Sequence, residues 1–237
     1  MKAILAIDQG TTSTRAIAFS LNGKKLFSSQ LEFKQYFPKN GWVEHDPEEI
    51  WKTTLKVVKN VINKCRKKNI KILTIGIANQ RETTIMWDKT TGKTVYKAIV
   101  WQDRRTEAFC QKLKKKNLEN KIRKKTGLFI DPYFSATKIK WIINNVKKAK
   151  QLLKNKKLLF GTIDTFLIWK LTGGKIHATD TTNASRTMLY NINNNKWDKE
   201  ILKKLKIPKN ILPEVKNTAD NYGYTSKSIM GNTISIT

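Results

Sequence analysis

A hydroxyl-rich turn between two apolar runs is the segment of this sequence best suited to chemistry. The first apolar run ends at Asp8 and the second begins at Ala16. Between them lie the small hydroxyl residues Thr11, Thr12 and Ser13. Two strands joined by such a turn are typical of a β-hairpin. Its backbone N–H groups and hydroxyls, with no bulky side chain beside them, suit a polyphosphate, and Asp8 can hold Mg²⁺ directly or through water.

This turn is not a Walker A loop. The pattern GxxxxGK[ST] is absent, and a strand rather than a helix follows the turn. Taken alone, the turn is equally consistent with a surface hairpin rich in Ser and Thr.

The elements that would position this turn alternate between strand and helix patterns. We predict a strand over residues 31–37 and a helix that is capped by Asp46, has Pro47 at its first position and continues to Cys65. The nearly continuous apolar run 71–79 predicts a strand buried on both faces. A hairpin is predicted around Thr90, Thr91 and Gly92.

The middle of the chain is predicted to be mainly helical. Asp164 is predicted to cap a short helix over 165–171, and the final segment 232–237 has a strand pattern. The other predicted elements are helices over 103–116, 118–126, 135–146 and near 198–205, a strand over 158–163, and a hydroxyl-rich segment over 179–187.

Charge, hydropathy and cysteine content indicate which classes of protein this chain can belong to. The 237 residues carry a formal net charge of +29. The lysines are scattered and gather near predicted helix ends, which indicates solvated helix faces and no specific nucleic-acid partner. No apolar run is long enough to cross a membrane, and the N-terminal run is too short for a signal peptide. The isolated Cys65 and Cys110 indicate reduced thiols in a cytoplasmic protein.

Seven segments together carry a family pattern. They are DQGTTSTRA (8–16), GWVEHDPEEIW (41–51), IANQRETTIMWD (77–88), AIVWQDRRT (98–106), TGLFIDPYFSATKIKW (126–141), FGTIDTFLIWKLTGG (160–174) and DTTNASRTMLYN (180–191). In order and nearly in spacing, the set resembles the glycerol kinases, within the carbohydrate kinases that share an actin-like, ribonuclease-H-like ATPase fold. NQRET, VWQDRRT and DPYFS in succession favour glycerol kinase over the sugar kinases of that family.

The resemblance implies an α/β, ribonuclease-H-like domain with a mixed sheet and flanking helices, one of the two domains of a complete kinase. Residues 1–237 would be the N-terminal domain, truncated near its C-terminal end and lacking the second ATPase domain. The family's catalytic base is an Asp in a GIAGDQ segment, expected beyond Thr237. No catalytic residue is therefore expected within this chain.

The resemblance also implies individual roles. Thr11, Thr12 and Ser13 would form the phosphate loop for ATP, with Arg15 near the nucleotide and Asp8 as the acid associated with Mg²⁺.

Four further residues would form most of the glycerol site. Arg81, Glu82 and Tyr133 would hydrogen-bond glycerol, and Trp101 would pack on its carbon backbone. Their types suit a ligand with three hydroxyls, because a carboxylate accepts hydroxyl protons, a guanidinium donates in a rigid fork and an indole face covers C–H groups.

The function that this resemblance implies is ATP-dependent phosphorylation of glycerol to glycerol 3-phosphate by the complete protein. We expect a cytoplasmic homo-oligomer that binds glycerol and ATP and does not insert into a membrane. Three alternatives remain at this point. They are a kinase for another polyol or a ketose, a catalytically inactive remnant, and a basic nucleic-acid-binding protein.

Overall fold

The computed structural model describes all of residues 1–237. Its strands are β1 (Lys2–Gln9), β2 (Ser13–Ser20), β3 (Lys25–Glu32), β4 (Gln35–Tyr36), β5 (Glu44–His45), β6 (Lys71–Asn79), β7 (Ile85–Asp88), β8 (Ala98–Ile99), β9 (Leu158–Gly161), β10 (Ala178–Asp180), β11 (Tyr190–Asn191), β12 (Lys196–Trp197), β13 (Glu214–Lys216) and β14 (Ser235–Ile236). Its helices are α1 (Pro47–Lys67), α2 (Glu107–Lys115), α3 (Glu119–Thr126), α4 (Ser135–Asn145), α5 (Lys147–Lys154), α6 (Ile163–Leu171), α7 (Thr181–Ala184), α8 (Lys199–Leu205) and α9 (Lys227–Met230), with 3₁₀ turns at Ser185–Thr187 and Lys209–Ile211.

The central sheet has five strands in the order β3-β2-β1-β6-β14. Strands β1, β2 and β3 form an antiparallel meander, whereas β6 runs parallel to both β1 and β14. This is the mixed sheet that the family resemblance implies, and the β1–β2 hairpin predicted from the sequence is confirmed. Asp8 lies at the carboxyl end of β1, opposite Arg15 on β2 and Ala78 on β6.

Helix α1 covers one face of this sheet. Asp46 caps the helix by accepting a hydrogen bond from the Glu48 backbone N–H at 2.9 Å, and Pro47 occupies the first helical position. These two residues fix where the helix begins, as the sequence predicts. The helix buries Val57, Val58 and other apolar side chains against the odd-numbered residues of β1. The burial fixes the position of the strand ends from which the candidate site is built.

A second apolar cluster joins the helices in the middle of the chain. It includes Ile139 and Ile142 of α4, Ile201 of α8 and Phe160 of β9. The predicted helices over 103–116, 118–126, 135–146 and 198–205 are present, each within a few residues of its predicted start. Helix α2 begins later than predicted because the Asp103 carboxylate is engaged elsewhere, by the Val43 backbone N–H at 2.7 Å.

Two predictions about the first strands were wrong in part. The predicted strand over 31–37 is instead β3, which ends at Glu32, followed by the short β4 in another sheet. The pairing of β3 with β2, from Ser13 opposite Glu32 to Phe19 opposite Lys25, fixes these bounds. The strand over 71–79 has its predicted bounds, but Ile75 is its only fully buried residue.

Two further local predictions need correction. The predicted hairpin around Thr90 is reduced to an isolated bridge between Trp87 and Thr94, because β7 forms its ladder with the distant β9. Asp164 is not the cap of α6, since Thr162 occupies that position. The first difference reflects a partner that is remote in sequence. No helix in the structure is long and apolar enough to cross a membrane.

Candidate functional site

The β1–β2 turn presents a small open surface. The Gly10 backbone N–H donates to the Ser13 carbonyl at 2.9 Å and closes the turn. Thr12 at its tip is exposed, and Thr11 and Ser13 are half-buried. The geometry leaves hydroxyls and backbone groups accessible at one point, as a phosphate ligand requires.

A buried network of side-chain amides hydrogen-bonds to the backbone of this turn. Gln80, just after β6, donates through Nε2 to the Gly10 carbonyl at 3.1 Å and lies 3.2 Å from Gln9 Oε1. The same amide lies 3.3 Å from His45 Nδ1. Burial lowers the pKa of His45 to about 4. The imidazole is therefore neutral at pH 7, and its Nδ1 accepts the proton of Gln80.

Asp8 and Arg15 flank the turn on the open face of the sheet. Both side chains are exposed. Arg15 Nε donates to Gln30 Oε1 at 2.9 Å, and Gln30 Nε2 donates to Ser13 Oγ at 3.0 Å. The Asp8 carboxylate accepts no hydrogen bond in the chain. A free carboxylate beside hydroxyl oxygens fits Mg²⁺, which commonly binds through one carboxylate, waters and phosphate oxygens.

Glu82 is held in an unusual conformation just beyond β6. Its φ angle is +62°, in the left-handed region, and its side chain is buried. Ser135, at the start of α4, donates to the Glu82 carbonyl at 2.9 Å. A non-glycine residue in this region is costly and is retained only where surrounding contacts impose it. Strained residues of this kind are frequent at functional sites.

Trp101 and Tyr133 form an aromatic pair next to the turn. Their ring centroids are 5.5 Å apart, with the planes inclined by 60°. Trp101 Nε1 donates to Thr11 Oγ1 at 3.1 Å. This hydrogen bond brings together two groups of predicted site residues that are 90 positions apart in the sequence.

A buried ion cluster holds the loop that carries Trp101. Arg105 pairs with Asp103 and with Glu44, each at 2.8 Å, and its side chain is fully buried. The guanidinium carbon lies 3.7 Å from the centre of the Trp42 ring. Several partners satisfy each charge, so the loop is fixed in one arrangement.

Arg81 is exposed and lines a cleft of about 280 Å³ next to β6 and β14, together with Asn79, Asp180 and Asn183. The structure thus joins Trp101 and Tyr133 to the turn, links Glu82 to Tyr133 through Arg186, and places Arg81 in the adjoining cleft.

Two carboxylates lie along this cleft in contrasting environments. Burial raises the pKa of Asp164 to about 6. Hydrogen bonds from Thr162 at 2.5 Å and Thr179 at 2.6 Å act in the opposite direction and limit the rise. Burial also acts to raise the pKa of Asp180, but hydrogen bonds, the largest from Thr182, outweigh it and leave that pKa below its usual value. At pH 7 Asp180 is therefore ionised, whereas Asp164 is only mostly ionised.

A buried lysine lies beneath Tyr133. Lys138 is fully buried, and its Nζ donates to the Tyr133 carbonyl at 2.5 Å. Burial lowers its pKa to about 7, and the nearby Asp103 and Glu82 oppose that shift. The lysine is therefore partly neutral at physiological pH.

Reasoning from the sequence missed two residues of this region. Arg186 pairs with Glu82, and Gln80 supports the turn. Both lie in segments that resemble the glycerol kinases, IANQRETTIMWD and DTTNASRTMLYN, and this was the only signal that could have drawn attention to them.

The chain is similar in sequence to known glycerol kinases. A glycerol kinase of Caldanaerobacter subterraneus subsp. tengcongensis is 58% identical over 230 residues, covering 97% of this chain and 46% of the relative. A glycerol kinase of Rhizobium meliloti is 59% identical over 233 residues, covering 98% and 47%. The chain thus spans about half the length of these curated relatives.

Comparison with solved structures gives the same result. The crystal structure of Plasmodium falciparum glycerol kinase with ADP superposes with a TM-score of 0.97 at 40% identity, covering all of this chain and 48% of the other. Residues 3–235 match the N-terminal domain of the FGGY family of carbohydrate kinases. The chain belongs to that family.

Proposed function

We propose that this chain supplies the phosphate loop and most of the polyol site of an ATP-dependent glycerol kinase. The similarity to glycerol kinases, one of them solved with ADP, supports both the substrate and the nucleotide. The reaction would transfer the γ-phosphoryl group of ATP to a terminal hydroxyl of glycerol and release ADP.

One observation carries the proposal. The hydrogen bond from Trp101 to Thr11 joins the aromatic pair to the hydroxyl turn, so a small polyol against the indole would lie beside a phosphate at the turn. Phosphoryl transfer depends mainly on such positioning and on charge stabilisation, with little covalent participation by the protein.

Each proposed residue has a distinct task. Glu82 accepts hydroxyl protons, Tyr133 and Arg81 donate to hydroxyl oxygens, and Trp101 covers the carbon backbone. These assignments limit the ligand to a short polyol, because a hydroxyl without a partner would leave a buried polar group unpaired.

The phosphate side uses smaller groups. Thr11, Thr12 and Ser13 offer hydroxyl and backbone donors, Arg15 provides positive charge, and Asp8 would hold Mg²⁺. The metal ion, when bound, neutralises charge on the phosphate oxygens.

We assign no catalytic base within this chain. The six other aspartates of the matched segments all accept hydrogen bonds or form ion pairs within the chain. They are Asp46, Asp88, Asp103, Asp131, Asp164 and Asp180. A base must reach the glycerol hydroxyl that it deprotonates, and these carboxylates are already committed to other donors.

The test uses a joined enzyme, in which residues 1–237 replace the matching first half of the Caldanaerobacter relative. We expect kcat/KM with ATP to be higher for glycerol than for xylulose, ribulose or gluconate, by at least about tenfold. A pentulose preferred by an order of magnitude would overturn the proposal. The 237-residue chain alone should show no turnover, because an incomplete cleft forgoes positioning that can contribute ~7–11 kcal/mol.

The location of the protein, its nucleic-acid binding and its oligomeric state also remain proposals. Cys65 and Cys110 are buried and unpaired, which supports a cytoplasmic location. The scattered lysines support the absence of a specific nucleic-acid partner. Homo-oligomerisation stays a prediction.

A further inference from the structure

Arg186 contacts two of the proposed polyol-binding residues. Its Nε donates to Glu82 Oε1 at 2.6 Å, although the two residues are 104 positions apart. Its guanidinium carbon lies 5.7 Å from the centre of the Tyr133 ring and 5.0 Å from that of Phe134. The arginine therefore joins the carboxylate and the aromatic wall of the site.

The Glu82 carboxylate needs such a partner. Its side chain is 3% exposed, and a buried carboxylate without a cation is strongly disfavoured. Arg186 engages Oε1, while Oε2 accepts no hydrogen bond in the chain. One oxygen is thereby fixed, and the other is left for a ligand.

Arg186 is itself presented by an anchored segment. Asp180 caps α7 by accepting from the Asn183 backbone N–H at 2.8 Å. Asn183 in turn accepts from Asn79, at the end of β6, at 3.0 Å. The 3₁₀ turn that carries Arg186 follows directly, so its position relative to the central sheet is fixed.

We propose that Arg186 is a positioning residue that fixes the Glu82 carboxylate and thereby sets the affinity for the polyol. The inference rests on the proposed function. Arg186 acts through Glu82, holding one carboxylate oxygen so that the other is directed toward a substrate hydroxyl.

The test compares Arg186→Gln and Arg186→Lys in the joined enzyme. We expect Arg186→Gln to raise the glycerol KM at least about tenfold while the ATP KM changes less than about threefold. Arg186→Lys keeps the charge but loses the planar fork, so its glycerol KM should fall between those of the unmodified enzyme and the Gln variant. Arg123→Gln is the matched control, because Arg123 also lies over an aromatic ring, Phe129, but pairs with no carboxylate.

A purely structural role would give a different result. It would lower the melting temperature and kcat without selectively raising the glycerol KM, and Arg186→Lys would give no graded recovery. That outcome, or an unchanged KM in Arg186→Gln, would overturn the inference while leaving the proposed function intact. If the unmodified joined enzyme prefers a pentulose, the proposed function fails, and the same variants are then compared on the KM of that substrate.

Discussion

The carboxylates and their neighbours are held in opposite ways on the polyol side and the phosphate side of the candidate site, although Arg81 of the polyol side is exposed. On the polyol side, Glu82 is buried and paired with Arg186, and Tyr133 lies above the buried Lys138. On the phosphate side, Asp8, Thr12 and Arg15 are exposed, and the first two make no side-chain hydrogen bond.

This difference follows the chemistry of the two proposed ligands. A neutral polyol exchanges hydrogen bonds with water for similar ones with the protein, so binding is favourable only where donors and acceptors are fixed beforehand. A polyphosphate with its metal ion is highly charged and can order exposed groups around itself. The polyol side should therefore be preformed, whereas the phosphate side should depend on its ligand.

The largest effect that we expect concerns the buried lysine of the polyol side. The pKa of Lys138 is about 7 in the folded chain and 10.5 ordinarily, so between these pH values the unfolded chain binds more protons. Raising the pH from 7 to 10 should then stabilise the unmodified chain relative to Lys138→Met, by roughly 3–5 kcal/mol. Below pH 7 both states carry the proton, and the difference should level off.

Urea unfolding of the 237-residue chain across this pH range measures that difference. Lys148→Met, on the exposed face of α5, serves as the control and should run parallel to the unmodified chain. If the stability of Lys138→Met also changed with pH in parallel with that of the unmodified chain, the Lys138 amine would not be buried as described.

The next effect separates substrate from nucleotide on the polyol side. In the joined enzyme, Glu82→Ala should lower kcat/KM for glycerol about 10- to 100-fold, or ~1.5–3 kcal/mol, because a charged acceptor is lost. The ATP KM should change little. Steady-state kinetics with each substrate varied in turn would check this, and an unaltered glycerol kcat/KM would remove Glu82 from the site.

A smaller effect is expected from the phosphate side. Thr12→Ala should raise the ATP KM by about three- to tenfold, since one neutral hydroxyl contributes about 1 kcal/mol. Thr12→Ser retains the hydroxyl and should behave like the unmodified enzyme. If Thr12→Ala instead raised the glycerol KM alone, the division between the two sides would be wrong.

The smallest effect should come from the link between the two sides. Trp101→Phe keeps an aromatic face but removes the N–H that donates to Thr11. It should therefore raise the KM of both glycerol and ATP by about two- to fivefold. Trp101→Leu should raise the glycerol KM further without a further rise in the ATP KM. Equal losses in both variants would show that the aromatic face contributes nothing.

The sequence predicts best what is determined locally. The start of α1 follows from Asp46 and Pro47 alone, and the β1–β2 hairpin follows from one turn. By contrast, the partner of β7 is β9, more than seventy residues later, and no local pattern specifies it. Arg186 was missed for the same reason, because its role depends on a contact across 104 positions.

The left-handed backbone at Glu82 has a consequence for how this site can change over evolutionary time. Most other L-residues there would meet a similar strain, of order 1–3 kcal/mol, and would lack the carboxylate that Arg186 engages. Glycine would relieve the strain but would abolish the acceptor. Aspartate tolerates this backbone and keeps a carboxylate, but its side chain is one methylene shorter. No single substitution keeps both this backbone and a carboxylate of the same reach, so altered substrate preference should arise at neighbouring residues while Glu82 stays in place.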